Sequence, residues 1–345
     1  MHGSEIERAR ELIFRHGWNT TCFQLLVPGI ELWFATETDA VIGYIRKHHV
    51  RVVAGAPVCS EEDLRSTIHE WETAAAAAGD CVCYFGAEDR MRELTAEDAA
   101  YSTVVLGSQP VWTPKSLVKR FNADRSLRAQ RARAKNKGVV VREWPTQEAH
   151  DSPALKQVLH EWLQTRGLPP MHFLVEPETL GMLDGRRIFV ATIADKPVAF
   201  LVLSPAPARG AWLTEQFVRG RQAPNGTVEL MMVEAVSSVE GELVTMGIVP
   251  LAQKARDPAI HNPVWLEALS RWARAHGRRF YNFGGLEWFK DKFHPDRWDP
   301  IYVISKEPKF SLRTLHAVAA AFTGEPPLKA IARGLLKSIR QELGL

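Results

Sequence analysis

Three stretches of the second half bring together residue types that can hold or move charge. The first runs Glu215-Gln216-Phe217-Val218-Arg219-Gly220-Arg221 and then Ala223-Pro224-Asn225-Gly226-Thr227, joining a strand-like run to a helix that starts near Thr227. A glycine-containing loop at a helix start offers backbone N–H groups and the positive end of the helix dipole, which suits a phosphate or a developing oxyanion. Arg219 and Arg221 add positive charge there; an ordinary strand-to-helix turn with Asn225-Gly226 supplying its special dihedrals fits the same residues. The second stretch, Met246-Gly247-Ile248-Val249-Pro250-Leu251, directly follows the next strand-like run. The third spans Tyr281 to Tyr302 and reads aromatic-Asn-Phe-x-Gly-Leu-x-x-Phe-Lys-x-Lys-Phe-x-Pro-x-x-Trp. Phe289 and Phe293 fall four apart, so an amphipathic helix with aromatic packing accounts for part of it. Lys290 and Lys292 stand two apart and cannot share a helical face; one is expected to reach a substrate phosphate and the other to pair with Asp291 or Glu287.

Charge is uneven along the chain. The formal net charge is only +3, yet between Lys115 and Arg142 every charged residue is basic except Asp124. Arg125, Arg128, Arg131 and Lys135 recur at helical spacing, which concentrates cations on one face fit to neutralise several nucleic-acid phosphates. A solvated charged helix has the same pattern. In the last twenty residues Leu328, Ile331, Leu335, Ile339 and Leu343 fall on one helical face with Lys329, Arg333, Lys337 and Arg340 around the other. Such a helix suits an anionic lipid surface, or packs on the protein.

These segments need elements to position them. At 345 residues, 46% hydrophobic and 24% charged, the chain is globular in composition and long enough for two domains. Met1 to Gly17 is charged throughout rather than signal-like, and no run approaches the roughly 20 apolar residues of a membrane span, so a cytoplasmic place is expected. Cys22, Cys59, Cys81 and Cys83 all lie in the first quarter and read as structural thiols, with no metal site expected. The first third predicts strands at Glu31–Ala35, Ala40–Arg46 and Val50–Ala54, a helix to Gly79, a strand at Cys81–Phe85, a short helix at Asp89–Leu94 and a strand at Tyr101–Leu106. The second half predicts a strand at Val139–Trp144, helices at Ala149–Thr165 and Pro177–Leu183, and a hairpin of Arg187–Ala194 with Pro197–Ser204 turned at Asp195-Lys196. Then follow a strand at Ala211–Val218, a helix at Thr227–Val239, a strand at Leu243–Met246, a helix at Pro263–His276, and strands at Phe280–Phe283 and Ile301–Ser305. Antiparallel strands followed by crossover helices with strands is the succession of the GNAT fold, and it occurs twice. The fold class expected is α/β (α+β), two tandem GNAT-like domains with mixed sheets flanked by helices. The bounds are 1–110, a basic helical connector at 111–137, a catalytic domain at 138–305 and a helical amphipathic tail at 306–345.

Ala223-Pro224-Asn225-Gly226 with Glu229-Leu230, Gly247 with Pro250-Leu251, and Asn282-Phe283-x-Gly285-Leu286-x-x-Phe289-Lys290-x-Lys292-Phe293-x-Pro295 with Trp298 resemble, in that order, the phosphatidylglycerol lysyltransferases. The likeness extends more loosely over Arg125–Gly138 and the first half. It implies transfer of an aminoacyl group from aminoacyl-tRNA to a hydroxyl of an anionic membrane lipid, with phosphatidylglycerol the expected acceptor, with no cofactor and no metal, at a peripheral membrane surface. Many relatives carry a membrane-embedded flippase ahead of the synthase, so export of a product is not expected of this polypeptide. Under that resemblance Arg219 and Asn225 with Gly226 take the anionic part of the substrate. Glu215 or Glu229 holds the α-amino group or serves as base, and Arg221, Gly247, Asn282, Lys290 and Lys292 contact substrate. The stretch before Ala223 is one residue short of the family pattern, so the acidic position beside Arg219 falls at Glu215 or Gln216. An acyl-CoA N-acyltransferase, or a non-catalytic RNA- or membrane-binding module, are the alternatives.

Overall fold

The computed structural model describes residues 2–165, 172–252, 254, 257–276 and 282–323. The first half runs α1 (His2–His16), β1 (Glu31–Phe34), β2 (Val41–Lys47), β3 (Val50–Ala54), α2 (Leu64–Ala77), β4 (Cys81–Ala87), α3 (Asp89–Thr95) and β5 (Ser102–Trp112). Two helices follow, α4 (Pro114–Ala123) and α5 (Arg125–Asn136). The second half runs β6 (Val139–Trp144), α6 (Thr146–Asp151), α7 (Pro153–Gln164), β7 (Arg187–Ile193), β8 (Lys196–Ala206), β9 (Ala211–Arg219), α8 (Thr227–Ser237), β10 (Leu243–Thr245), β11 (Val249–Pro250), α9 (Val264–His276), α10 (Phe283–Asp291), β12 (Arg297–Ser305) and α11 (Leu312–Thr323). The expected mixed α/β class holds, with two GNAT-like halves.

Local chemistry sets most boundaries. Thr113 caps α4 by accepting from the Ser116 amide at 3.1 Å, and Pro114 occupies the first turn, where a missing N–H is harmless. Asp124 ends α4 in extended conformation and caps α5 through the Leu127 amide at 2.8 Å, so the basic segment is two helices with a sharp corner. The β7–β8 hairpin turns at Ala194-Asp195, both at positive φ (47° and 61°), one residue earlier than expected; this matches the twist of the strands it joins. The helix expected at Pro177–Leu183 is absent. That stretch folds as a three-residue turn (Thr179 amide to Pro177 carbonyl) followed by an i→i+3 turn (Met182 to Thr179), which bury Leu180 and Leu183 without a helical cylinder. Of the strand expected at Phe280–Phe283, Phe280 and Tyr281 lie outside the described residues and Phe283 opens α10. The tail positions from Leu328 to Leu343 also lie outside them.

All strands join one sheet in the order β1-β2-β3-β4-β12-β5-β10-β9-β8-β7-β6, with β11 also on β5. In each half the antiparallel strands end in a parallel pair, β3 with β4 and β9 with β10. At the centre the halves exchange strands: β12, from the end of the chain's second half, inserts between β4 and β5, and β5 of the first half borders β10. Helices cover both faces. α8 packs on Phe189, Leu201 and Leu203, while α7 packs on Ile188, Val190 and Phe200 from the opposite side. α4 and α5 lie over α8, joined by Leu117, Phe121 and Leu127 to Met232, Val236 and Phe293.

Candidate active site

The parallel pair β9–β10 creates the opening. β10 is in register with β9 only from Ala211 to Leu213 and ends at Thr245, whereas β9 continues to Arg219. The chain leaves the sheet at Met246-Gly247-Ile248 and returns as β11, with Val249 opposite Ser108. Beyond Thr245, therefore, β9 and the 246–248 loop diverge. β9 also bulges there: Leu201 faces Phe217 and Leu203 faces Thr214, so Glu215 and Gln216 occupy the place of one residue. A bulge re-aims side chains at the point where pairing ends. α10 borders the opening, its Phe289 ring edge-on to Phe217 at 6.2 Å between centroids.

The loop from β9 to α8 is organised by its own side chains. Arg219 donates to the Ala223 carbonyl at 2.9 Å and to Asn225 Oδ1 at 3.2 Å, which brings these two expected site residues together. Arg221 turns instead to α7, its amide on Glu161 at 3.0 Å and its guanidinium on Gln164 at 2.9 Å. Gly226 sits at φ +94°, and a Cβ there would stand 1.9 Å from the Gln130 carbonyl oxygen of α5. The helix start read as an open anion site is thus packed under the basic connector, and the Thr227 amide is taken by the Pro224 carbonyl at 3.3 Å.

Both candidate carboxylates are held by cations. Glu215 Oε1 accepts from Arg186 Nε at 3.0 Å and from the Ser204 hydroxyl, in an ion pair whose side chains are 5% and 2% exposed. Glu229 Oε1 lies 2.9 Å from Lys292 Nζ, which also sits 4.3 Å and 4.8 Å from the Phe289 and Phe293 ring centroids. Lys292 therefore reaches across to α8 rather than to Asp291 or Glu287. Asp291 takes Lys254 at 3.0 Å, and Glu287 takes Arg274 at 3.0 Å. The reason is position: Lys292 caps the end of α10 and leaves the helix surface, while the α10 acids meet cations from neighbouring segments.

Lys290 is 6% exposed and donates to three carbonyls, Met246 at 2.5 Å, Gly247 at 2.9 Å and Ile248 at 3.2 Å. Burial lowers its ammonium from 10.5 to about 7. Gly247, at φ +72°, directs its amide to Thr245 Oγ1 at 3.0 Å, so the loop is fastened from both sides. Asn282 caps α10 by accepting from the Gly285 amide at 2.9 Å. Of the basic face, Arg125 and Arg128 are exposed, Lys135 pairs with Glu234 at 3.5 Å, and Arg131 donates to the Phe121 carbonyl and to Asn122 at 2.9 Å.

Sequence reasoning missed a buried polar group beside this loop. Glu88 accepts from the Thr20 amide and hydroxyl (2.7 and 2.8 Å), from Gln109 Nε2 at 2.8 Å and from Arg209. Gln109 Oε1 in turn accepts from Thr245 at 3.4 Å, linking Glu88 of the first half to the 246–248 loop of the second. Gly107-Ser108-Gln109, a polar interruption of an apolar strand, was the available signal. No group of three or more potential metal ligands occurs among the described residues, nor does any described helix have the length and apolarity to cross a membrane.

The family model for phosphatidylglycerol lysyltransferase, C-terminal, matches residues 10–305. Among solved structures, the chain is similar to the C-terminal domain of a putative lysylphosphatidylglycerol synthetase from Agrobacterium fabrum, at 20% identity and TM-score 0.78 over 94% of this chain and 98% of that one. It is also similar to L-PGS from Bacillus licheniformis, at 19% identity and TM-score 0.73 over 97% of each chain. A conserved protein of unknown function from Bacteroides thetaiotaomicron shares the fold at 11% identity, with TM-score 0.59 over 88% of this chain and 96% of that one. None of the curated protein sequences matches the chain.

Proposed function

The chain belongs to the phosphatidylglycerol lysyltransferase C-terminal family, as a lysylphosphatidylglycerol synthase-type domain, and from that premise we propose that it moves an amino acid from aminoacyl-tRNA to a hydroxyl of an anionic membrane lipid, phosphatidylglycerol first. One contact carries the reading. The backbone of α5 meets Gly226 so closely that no side chain fits between them, which sets the cations of the connector beside the loop holding Arg219 and Asn225. A polyanion lying on Arg125 and Arg128 would bring its aminoacylated end to that loop; a small cofactor has no use for the extra charge.

The ester linking an amino acid to tRNA is already activated, so the protein has to align reactants and stabilise an oxyanion. In this reading the side chains of Arg219 and Asn225 take the anionic part. Glu215 and Glu229, each paired with a cation, shape the walls of the opening rather than act as a free base. Lys290 holds the 246–248 wall in shape. The halves 1–110 and 138–305 act as one body bridged by the connector 111–137, and residues 325–345 contribute to peripheral association with the cytoplasmic membrane face.

The test incubates the full chain with a tRNA pool charged with labelled amino acids and phosphatidylglycerol vesicles, followed by lipid extraction and mass spectrometry. An aminoacylated lipid dependent on charged tRNA is expected. Modification dependent on acetyl-CoA instead, or tRNA binding without transfer, would refute the reading.

A further inference from the structure

One turn beside the opening carries a pair of side chains that the preceding roles leave unused. His172 and Glu176 flank a single 3-10 turn, Phe173–Val175, and His172 Nδ1 lies 2.7 Å from Glu176 Oε2. The Glu176 side chain is 10% exposed and the His172 side chain 50%, so the carboxylate is fixed while the ring reaches solvent. Phe173 between them adopts φ +65°, rare for a non-glycine residue, and its ring is locked at 1% exposure against Phe85 and Phe322. The turn spans the opening. The Glu176 carbonyl accepts from the side-chain amide of Gln216 in the β9 bulge at 3.1 Å. Leu174 meets Gly86, whose other neighbour is Ile248: a Cβ on Gly86 would stand 3.0 Å from the first and 3.5 Å from the second.

From this placement we infer that His172, oriented by Glu176, is the general base that activates the acceptor hydroxyl. The inference rests on the aminoacyl-transfer reading above. A carboxylate on Nδ1 fixes the proton on that nitrogen and leaves the Nε2 lone pair outward. Among the described residues Nε2 has no partner, whereas Glu215 and Glu229 are both spent on cations. In the step, the acceptor O–H gives its proton to Nε2 as its oxygen bonds to the acyl carbon. The resulting oxyanion collapses by breaking the bond from the acyl carbon to the tRNA ribose oxygen, and the imidazolium returns the proton to that oxygen. One ester replaces another with no external oxidant, reductant or additional proton.

His172→Asn, His172→Ala and Glu176→Gln, each in the full chain, are assayed with charged tRNA and phosphatidylglycerol vesicles. A general base contributes about 10²–10⁴-fold, so His172→Asn is expected to lower kcat by at least 10²-fold with KM for aminoacyl-tRNA unchanged. Glu176→Gln presents an N–H to Nδ1, drives the proton onto Nε2, and is expected to lose at least tenfold in kcat with its Tm retained. Free imidazole should restore part of the activity of His172→Ala, which a packing role would not allow. Wild-type rates in His172→Asn overturn the inference alone, as does equal loss in kcat and unfolding midpoint without imidazole rescue. A wild-type chain that transfers nothing overturns the aminoacyl-transfer reading and this inference with it.

Discussion

Lys290→Met keeps the length of a side chain buried in α10 and removes its ammonium. The substitution leaves the carbonyls of Met246, Gly247 and Ile248 without their donor, at a cost of roughly 1–3 kcal/mol each where water cannot reach. It also removes a buried charge, whose desolvation costs several kcal/mol. These effects oppose each other near neutral pH, so the diagnostic quantity is the pH slope. The ammonium titrates at about 7 in the fold against 10.5 as an ordinary lysine. Below pH 7 both states hold the proton and the fold bears the whole burial cost. Between 7 and 10.5 the unfolded chain keeps a proton that the fold has released, so stability rises with pH by up to about 1.4 kcal/mol per unit. From pH 7.5 to 9.0 that is about 2 kcal/mol, a ceiling because the three carbonyls favour the charged form. Urea denaturation of wild type and Lys290→Met at both pH values cancels every other titrating group. The wild type should gain up to about 2 kcal/mol more than the variant over that interval. Parallel pH dependence of the two proteins would refute the lowered titration of Lys290 and mean that the three carbonyls hold it as an ammonium throughout.

Gly226→Ala should destabilise by more than about 3 kcal/mol, because a Cβ 1.9 Å from the Gln130 carbonyl forces α5 off α8 at a backbone φ of +94°; a Tm within 2 °C of wild type, measured by calorimetry, would contradict this. The double variant Arg125→Glu/Arg128→Glu, at two exposed positions of α5, should leave Tm unchanged while lowering the slope of log K against log salt for tRNA by about one to two. An unchanged slope in filter binding at several salt concentrations would remove α5 from the tRNA surface.

Much of the architecture was legible in the chain because it is local. The strand-like runs located β2, β3, β7 and β8 to within two residues, and the aromatic-Asn-Phe to Trp298 string marked the family. The same string named Lys290 and Lys292 without revealing what each grips, since their partners lie more than forty residues away in sequence, on the 246–248 loop and on α8. A carboxylate such as Glu215 reads identically whether free or neutralised, and the Arg186 that neutralises it comes from another strand's approach. The helix expected at Pro177–Leu183 failed for a related reason, its apolar spacing being satisfied by consecutive turns that the tertiary packing alone selects. Nor does any periodicity reveal that β12 pairs with β4 and β5 rather than with its own half. Propensity, caps and alternation act over a few residues and are written in order along the chain. The exchange of central strands, the Glu88 network and the His172–Glu176 pair exist only because the closed sheet brings distant residues within hydrogen-bonding distance, and that is decided by burial of the whole core.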